Sequence, residues 1–194
     1  MTGLNKVIAI DIHTHATVST RNAPDEVAIA FDAAMAAYFK EKMPRPTIAE
    51  TAAYYRERNM MAVIFTVDTE RANGQVRITN EEVAEEAAQH QDVLIPFASI
   101  DPLRGKMGVR EARRLIKDYG VRGFKFHPSA QEFYPNERAA YDLYEVIAEA
   151  GLPAIFHSGQ TGVGAKMRGG GGIRLKYSDP MFLDDVAVDF PDMP

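Results

Sequence analysis

The chain has 194 residues, of which 46% are hydrophobic and 25% charged, with a formal net charge of -5 and a pI of about 5.6. This is the balance of one soluble globular domain, with little room for a second, and its acidic sign argues against a general nucleic-acid binder. Cysteine is absent, which excludes disulfides, zinc ribbons, iron–sulfur clusters and a catalytic thiol.

The segment from Val7 to His13 is short, apolar and rich in Ile, and it reads as a buried strand. From Pro24 to Lys42, Ala and Met recur at helical spacing. Thr47 and Glu50 form a capping-box pattern ahead of a helix reaching Asn59, and Met61 to Val67 reads as a second strand. Thr79 and Glu82 repeat the box before a helix with Val83, Ala84, Ala87 and Ala88 on one face, and Val93 to Ser99 is a third strand. A helix from Met107 to Tyr119 stops at Gly120, and a fourth strand runs from Val121 to Phe126. The helix from Glu137 to Ala150 closes at Gly151, before a fifth strand from Leu152 to Phe156. A long glycine-rich loop then runs from Ser158 to Lys176. Asp179 and Pro180 start a last helix as N-cap and first helical residue, and it ends near Phe190.

Apolar strands that alternate with amphipathic helices imply an α/β fold with a parallel sheet covered by helices. Periodicity leaves two arrangements open, a doubly wound sheet and a (β/α) barrel. No linker or domain boundary interrupts the pattern, so residues 1–194 read as a single domain. No apolar run approaches the ~20 residues that span a bilayer. Residues 1–10 lack the long apolar region and cleavage site of a signal peptide, so a cytoplasmic protein without membrane or nucleic-acid partners is expected.

The candidate chemistry sits where strands end. His13 and His15 close the first strand, and residues i and i+2 of a strand share a face, so both imidazoles can converge on one ion. Asp11 shares that parity and would orient a histidine from below. The plain alternative is two polar residues in a loop. His157 ends the fifth strand in a matching place, as a third nitrogen donor or as a hydrogen-bonded core histidine. Lys125 and His127 share one face of the fourth strand, inward if Phe124 and Phe126 pack under helices. A Lys inside a strand is costly to bury unless paired or modified. Lys125 would bind a substrate carboxylate, join an ion pair or bridge metals as a carbamate, and His127 would shuttle a proton or hold substrate. His90, near a helix C-terminus, reads as a dipole partner.

The loop from Ser158 to Lys176 fails the phosphate-loop pattern, because Gly164 is followed by Ala165, Lys166 and Met167 with no Ser or Thr for magnesium. Its length and glycines suggest the least ordered internal segment, overhanging the site as a lid. Arg168 and Arg174, with Lys176, would bring positive charge over an anionic substrate, or would be solvated loop charge.

His13-Thr14-His15, Gly-Phe-Lys-Phe-His-Pro at the fourth strand and Ile-Phe-His-Ser-Gly at the fifth resemble the amidohydrolase superfamily. More narrowly, they resemble the amidohydrolase-related branch of aminocarboxymuconate semialdehyde decarboxylase and resorcylate decarboxylase type enzymes. The resemblance implies a (β/α)8 TIM barrel with one divalent metal, zinc expected, at the carboxyl ends of the strands. It implies His13, His15 and His157 as metal ligands. Lys125 lies at a place comparable to the carboxylated lysine of dinuclear members. It also implies a hydrolase acting on a small carbonyl or carboxylate compound through metal-activated water. The alternative is a decarboxylase of the same branch. From another class, a non-catalytic metal- or ligand-binding domain fits the same residues, and an open-sheet nucleotide binder is disfavoured.

The family's histidine after strand six and aspartate after strand eight have no counterpart here. Eight units typically need about 250 residues, so the chain is expected to be a partial barrel of about five βα units that stops before strand six. Its last strand edge, near Ile155, would then be unpaired, with association or a homo-oligomer as the consequence.

Overall fold

The computed structural model describes residues 7–23, 26–41 and 44–194. The expected helix limits at Pro24 and Lys42, and the first six residues of the segment read for a signal peptide, lie outside them. Five strands are present: β1 (Ala9–His15), β2 (Met60–Phe65), β3 (Leu94–Pro96), β4 (Phe124–Phe126) and β5 (Ala154–Phe156). Between and after them lie α1 (Glu26–Phe39), α2 (Ile48–Glu57), α3 (Glu70–Asn73), α4 (Asn80–Ala88), α5 (Lys106–Tyr119), α6 (Pro128–Gln131), α7 (Arg138–Glu149) and α8 (Met181–Asp189). The one-turn helices α3 and α6 carry no periodic signal and are additions to the sequence reading.

Every strand pairing is parallel. β1, β2 and β3 form one sheet in chain order, and β4 and β5 form another. A parallel bridge between Ala98 and Phe124 joins them; the Ala98 amide donates to the Gly123 carbonyl at 3.0 Å, and the Lys125 amide to the Ala98 carbonyl at 2.7 Å. The wall therefore runs 1-2-3-4-5 without the reversal of strand order that defines a doubly wound sheet. That order decides for the barrel, here partial and open among the described residues. β3, β4 and β5 are shorter than expected, because Pro96 and Pro153 cannot donate to a ladder and Gly123 sits against the Phe97 ring.

Alternation along the strands sorts the side chains. On the outer face, Ala62 and Ile64 pack with Ile48, Ala52 and Tyr55 of α2 and Val83 and Ala87 of α4. Ala98, Phe124 and Phe126 pack with Ala112 and Leu115 of α5 and Leu143, Tyr144 and Ile147 of α7. On the inner face, Val63, Phe65 and Phe97 form a smaller cluster with Ile95 and Ile155.

The helix caps follow the sequence, with two informative departures. Thr47 and Glu50 complete the capping box of α2 in both directions. Thr79 accepts from the Glu82 amide at 3.1 Å, but the Glu82 carboxylate does not return the bond. It is fully buried and accepts from Ser19 Oγ at 2.8 Å and from the Thr20 amide at 2.8 Å, which fastens the connection after β1. At α8 the helix begins one residue later than expected, and Asp179 Oδ1 accepts from the Met181 amide at 3.0 Å.

A charged network ties the connections after β2 and β3. Arg77 bridges Asp68 and Glu111, Arg104 reaches Glu111 at 2.5 Å and Asp68 at 3.5 Å, and Arg71 reaches Asp101 at 2.5 Å. Asp68 and Asp101 are buried, and Asp68 Oδ2 also accepts from the Asp101 amide at 3.0 Å. Among the described residues no helix is long and apolar enough to cross a membrane.

Among the described residues both outer strands are edges. β5, as expected, has no strand partner beyond β4, although Ile155 packs into the inner cluster and the Ala154 amide donates to the Pro194 carbonyl at 2.9 Å. β1 likewise pairs only with β2, and Ile8, Ile10 and Ile12 are 76%, 49% and 60% exposed, so the more apolar exposed edge is this one. A strand edge of this kind recruits another chain.

Two measurements check these readings. Light scattering should show the chain associating in solution, and Ile8→Lys, which places a charge on the β1 edge, should shift it toward monomer. In urea denaturation, Asp68→Ala should cost about 3 kcal/mol, since it removes a buried carboxylate that accepts from the Asp101 amide and leaves half-buried Arg77 with Glu111 as its remaining carboxylate partner. Asp68→Asn should cost less, because its side-chain oxygen still accepts from Asp101.

Candidate metal centre

Four of the five histidines in the chain gather at the carboxyl ends of β1, β4 and β5. His13 and His15 face each other with their Nε2 atoms 3.1 Å apart. Both rings lie against Phe65, with centroids at 5.5 and 4.8 Å. Two nitrogens bound tetrahedrally to one cation at about 2.0–2.1 Å stand about 3.3–3.4 Å apart. The observed 3.1 Å is a hydrogen bond between the two rings and lies a few tenths of an ångström short of that spacing.

The two imidazoles are held in the form a metal needs. His15 is exposed at the open side of β1, with its ring edge-on to Phe65. Loss of water around that ring pushes its pKa down to about 3, with help from the positive potential of His13, Lys125 and His157. His13 is lowered by desolvation and by Lys125, with Asp11 opposing. Neutral imidazoles keep a lone pair free for a cation.

His157 follows β5, and its backbone amide donates to the Phe126 carbonyl at 2.9 Å. Its ring stacks on His127, with centroids 4.0 Å apart and planes 11° from parallel. The His157 Nε2 atom is buried and has no hydrogen-bond partner. Desolvation, then Lys125 and His13, lower its pKa. Among the described residues no three His, Asp or Glu side chains stand close enough together to hold one ion as they lie. The structure thus brings together the His13 and His15 nitrogens and sets His157 beside them in a stack with His127.

Lys125 projects to the inner face, because Phe124 and Phe126 on either side are packed under the helices. It is 0% exposed, its Nζ lies 5.4 Å from the centroid of the Phe65 ring, and no group accepts from it. Of the readings open in the sequence, the structural ion pair is therefore excluded. Burial lowers the Lys125 pKa to about 8. His127 is buried, donates its backbone amide to Gln131 Oε1 at 2.8 Å, and has Nδ1 3.3 Å from Ser129 Oγ. Burial first, then His157 and Lys125, hold its imidazole well below the ordinary range.

Asp11 departs from its expected role. Asp11 pairs with Ala62 ahead of a register shift that precedes Thr14, so its carboxylate stays on the helix side, where Tyr55 Oη donates to Oδ2 at 2.6 Å, while the histidines beyond the shift face the other way. Asp11 still touches the histidine pair, but through the backbone: Oδ1 accepts from the His13 amide at 2.9 Å. Tyr55, Phe65, Ser129 and Gln131 all support the site and escaped the sequence reading, because none carries a motif. The two- and four-residue steps from His127 to Ser129 and Gln131 are legible only once α6 is known.

The glycine-rich loop is seated on α1. A side chain at Gly171 would lie 2.9 Å from the Phe31 ring, and one at Gly162 would lie 2.7 Å from the Phe39 ring. Gly169 to Gly171 take left-handed conformations, with φ of 61°, 65° and 61°, which only glycine adopts freely. Arg168 and Arg174 are exposed on this loop. Lys176 is drawn elsewhere, with Nζ 4.8 Å from the centroid of the Tyr177 ring and 5.5 Å from that of Tyr134.

The donors suit a divalent cation in kind, with a close nitrogen pair, neutral rings and an unpartnered buried His157 Nε2, although as they lie no three of them converge. Lys125 gives a separate, metal-free prediction. Its folded pKa of about 8 lies below the ordinary 10.5. Below pH 8 both folded and unfolded states carry the proton, and the buried charge costs stability. Between pH 8 and 10.5 only the unfolded state holds the proton, so stability rises with pH. At about 1.4 kcal/mol per unit the rise is at most about 3 kcal/mol. Urea denaturation in the presence of chelator should show that rise, and Lys125→Met should be more stable at pH 7 and lose it.

The family profile described as Amidohydrolase matches residues 10–194. Among solved structures, an uncharacterized TIM-barrel protein from Bordetella bronchiseptica superposes with a TM-score of 0.67 at 17% identity, over 96% of this chain and 65% of that one. A 5-carboxyvanillate decarboxylase from Novosphingobium aromaticivorans, with bound manganese and 3-methoxy-4-hydroxy-5-nitrobenzoic acid, gives 0.57 at 12%, over 97% and 64%. The 4-oxalomesaconate hydratase of Rhodopseudomonas palustris gives 0.56 at 19%, over 95% and 60%. No curated protein matches the sequence. The chain spans about 65% of the length of the Bordetella protein, and at these identities the likeness speaks to the TIM-barrel fold alone. The family match covers nearly the whole sequence and includes all four clustered histidines: the chain belongs to the amidohydrolase family.

Proposed function

We propose that this chain supplies the β1, β4 and β5 part of a metal-dependent active site acting on a small carboxylate or carbonyl compound. One observation carries the reading: among the described residues, two histidine pairs, His13 with His15 and His127 with His157, stand at the carboxyl ends of β1, β4 and β5 with Lys125 buried on the inner face, and Asp11 is turned to the helix side. A site of that composition attracts a cation through its neutral imidazoles and an anion through its lysine.

His13 and His15 are the proposed metal ligands, with the unpartnered His157 as the proposed third. A divalent ion held there polarises a carbonyl or carboxylate oxygen and lowers the pKa of a bound water. Zinc suits the imidazole set, and the manganese of the carboxyvanillate decarboxylase makes that ion the second one to test. Lys125, still protonated at neutral pH, binds the substrate carboxylate or delivers a proton. His127, held neutral, accepts one and relays it toward Ser129. Arg168 and Arg174, exposed on the loop, steer an anionic substrate inward.

Hydrolysis through metal-activated water and decarboxylation share these parts. Decarboxylation is the reading favoured by Lys125, because a buried ammonium beside a metal site suits a substrate that itself carries the carboxylate to be lost. The fold is shared with a decarboxylase that binds an aromatic carboxylate, which agrees with that choice.

The test begins with metal. Equilibrium dialysis against zinc and manganese should give a bound ion, and His13→Ala with His15→Ala should weaken it by about a hundredfold or more. Turnover against lactones, amides and aromatic carboxylates, with acid and carbon dioxide read separately, then decides the reaction. Carbon dioxide release supports the decarboxylase, and acid release from lactones or amides supports the hydrolase. A retained ion with neither product indicates a non-catalytic metal-binding domain.

A further inference from the structure

His13 and His15 face inward against the parity of their own strand. Asp11 pairs with Ala62, and Ala62 and Ile64 belong to the outer, helix-covered face. In an unbroken register His13 would pair with Ile64 and both histidines would point at the helices. The structure inserts one residue instead: Asp11 pairs with Ala62, while Thr14 pairs with Ile64 and His15 with Phe65. Three residues of β1 advance where two of β2 do, which is a β-bulge. A one-residue slip flips every following side chain to the other face, and this slip is what brings the imidazoles inside.

Something must hold the bulge, because the straight ladder would regain regular hydrogen bonds. Tyr55 of α2 spans it. Its hydroxyl donates to Asp11 Oδ2 at 2.6 Å, on the near side of the slip, and accepts from Thr14 Oγ1 at 3.1 Å, on the far side. The other oxygen of Asp11 accepts from the His13 amide at 2.9 Å, inside the bulge. Tyr55 is buried and stands on a helix whose start is locked by the Thr47–Glu50 box. From these contacts we infer that Tyr55 and Asp11 are positioning residues: the hydroxyl–carboxylate clamp fixes the β1 bulge and thereby presents the His13 and His15 nitrogens as a close pair. The clamp rests on the metal-site reading only for its purpose; the geometry it fixes exists without an ion.

The experiment separates the two. In chelator-treated protein, histidine-ring 1H–15N correlations report the His13 and His15 rings directly. Tyr55→Phe should move those two sets of signals and leave His127 and His157 in place, with circular dichroism unchanged. Thr14→Val removes the far contact alone and should move the same signals less. Tyr54→Phe, at the exposed neighbouring tyrosine, should move none. Cobalt(II) titration then reads affinity and coordination together. Tyr55→Phe should weaken binding about ten- to a hundredfold and alter the visible d–d bands, and Asp11→Asn, which keeps an acceptor for the His13 amide, should bind between Asp11→Ala and the parent. Unmoved His13 and His15 rings in Tyr55→Phe and Asp11→Ala would overturn the clamp, as would equal movement of all four rings, which marks general loosening. Should Tyr55→Phe not fold, Thr14→Val and Asp11→Asn carry the same ring measurement. A parent that binds no cobalt while the rings respond as described would refute the metal reading and leave the clamp standing.

Discussion

A parallel strand sends successive side chains to opposite faces, and most of this structure follows from that alternation. The outer residues of each strand are claimed by helices, since covering the apolar outer face is the largest favourable term available to the chain. The inner residues are what remains. At β4 this leaves Lys125 between two buried phenylalanines, with no freedom to turn outward without exposing both rings. Its burial is thus imposed by its neighbours, and its depressed pKa is the electrostatic consequence.

The connections at the carboxyl ends are held by polar contacts that apolar packing cannot supply. Asp68 and Asp101 link the β2 and β3 connections through three arginines, and Gln131 carries the same frame to β4. Its amide nitrogen donates to the Asp68 carbonyl at 3.1 Å while its side-chain oxygen holds the His127 amide. Arg71 donates to the Gln131 carbonyl as well. The β1 connection is fastened separately, by Glu82 on Ser19 and Thr20. Each group of histidines therefore stands on a buried polar anchor, which is how a loop-borne site reaches the precision that chemistry needs.

The α/β class, the order of elements and the strand-end histidines were legible because each rests on local signals: apolar runs, capping boxes at Thr47 and Thr79, and glycine stops at Gly120 and Gly151. What escaped depends on contacts between distant segments. The Glu82 carboxylate had a local partner to hand and took a remote one. Asp11 was assigned to the histidine face by strict alternation, and a single inserted residue reversed that. The Asp68–Arg77–Glu111 network joins residues from three connections and has no periodic signature. The choice between barrel and open sheet was settled by the Ala98–Phe124 bridge, one residue pair outside any strand.

Four histidines and a lysine lie at the strand ends, and burial is the main cause that lowers the affinity of each for a proton, with the charge of Lys125 adding to the shift at all four histidines. The histidines answer by staying neutral, which costs nothing at neutral pH. Lys125 has no such escape, because a pKa of about 8 leaves it mostly charged there. On the proposed reading, a dication at His13 and His15 would add to the positive potential that Lys125 already supplies. An anion reaching both the ion and the lysine would relieve that repulsion, and a carboxylate substrate would then strengthen the hold on the metal through the lysine that β4 was obliged to bury.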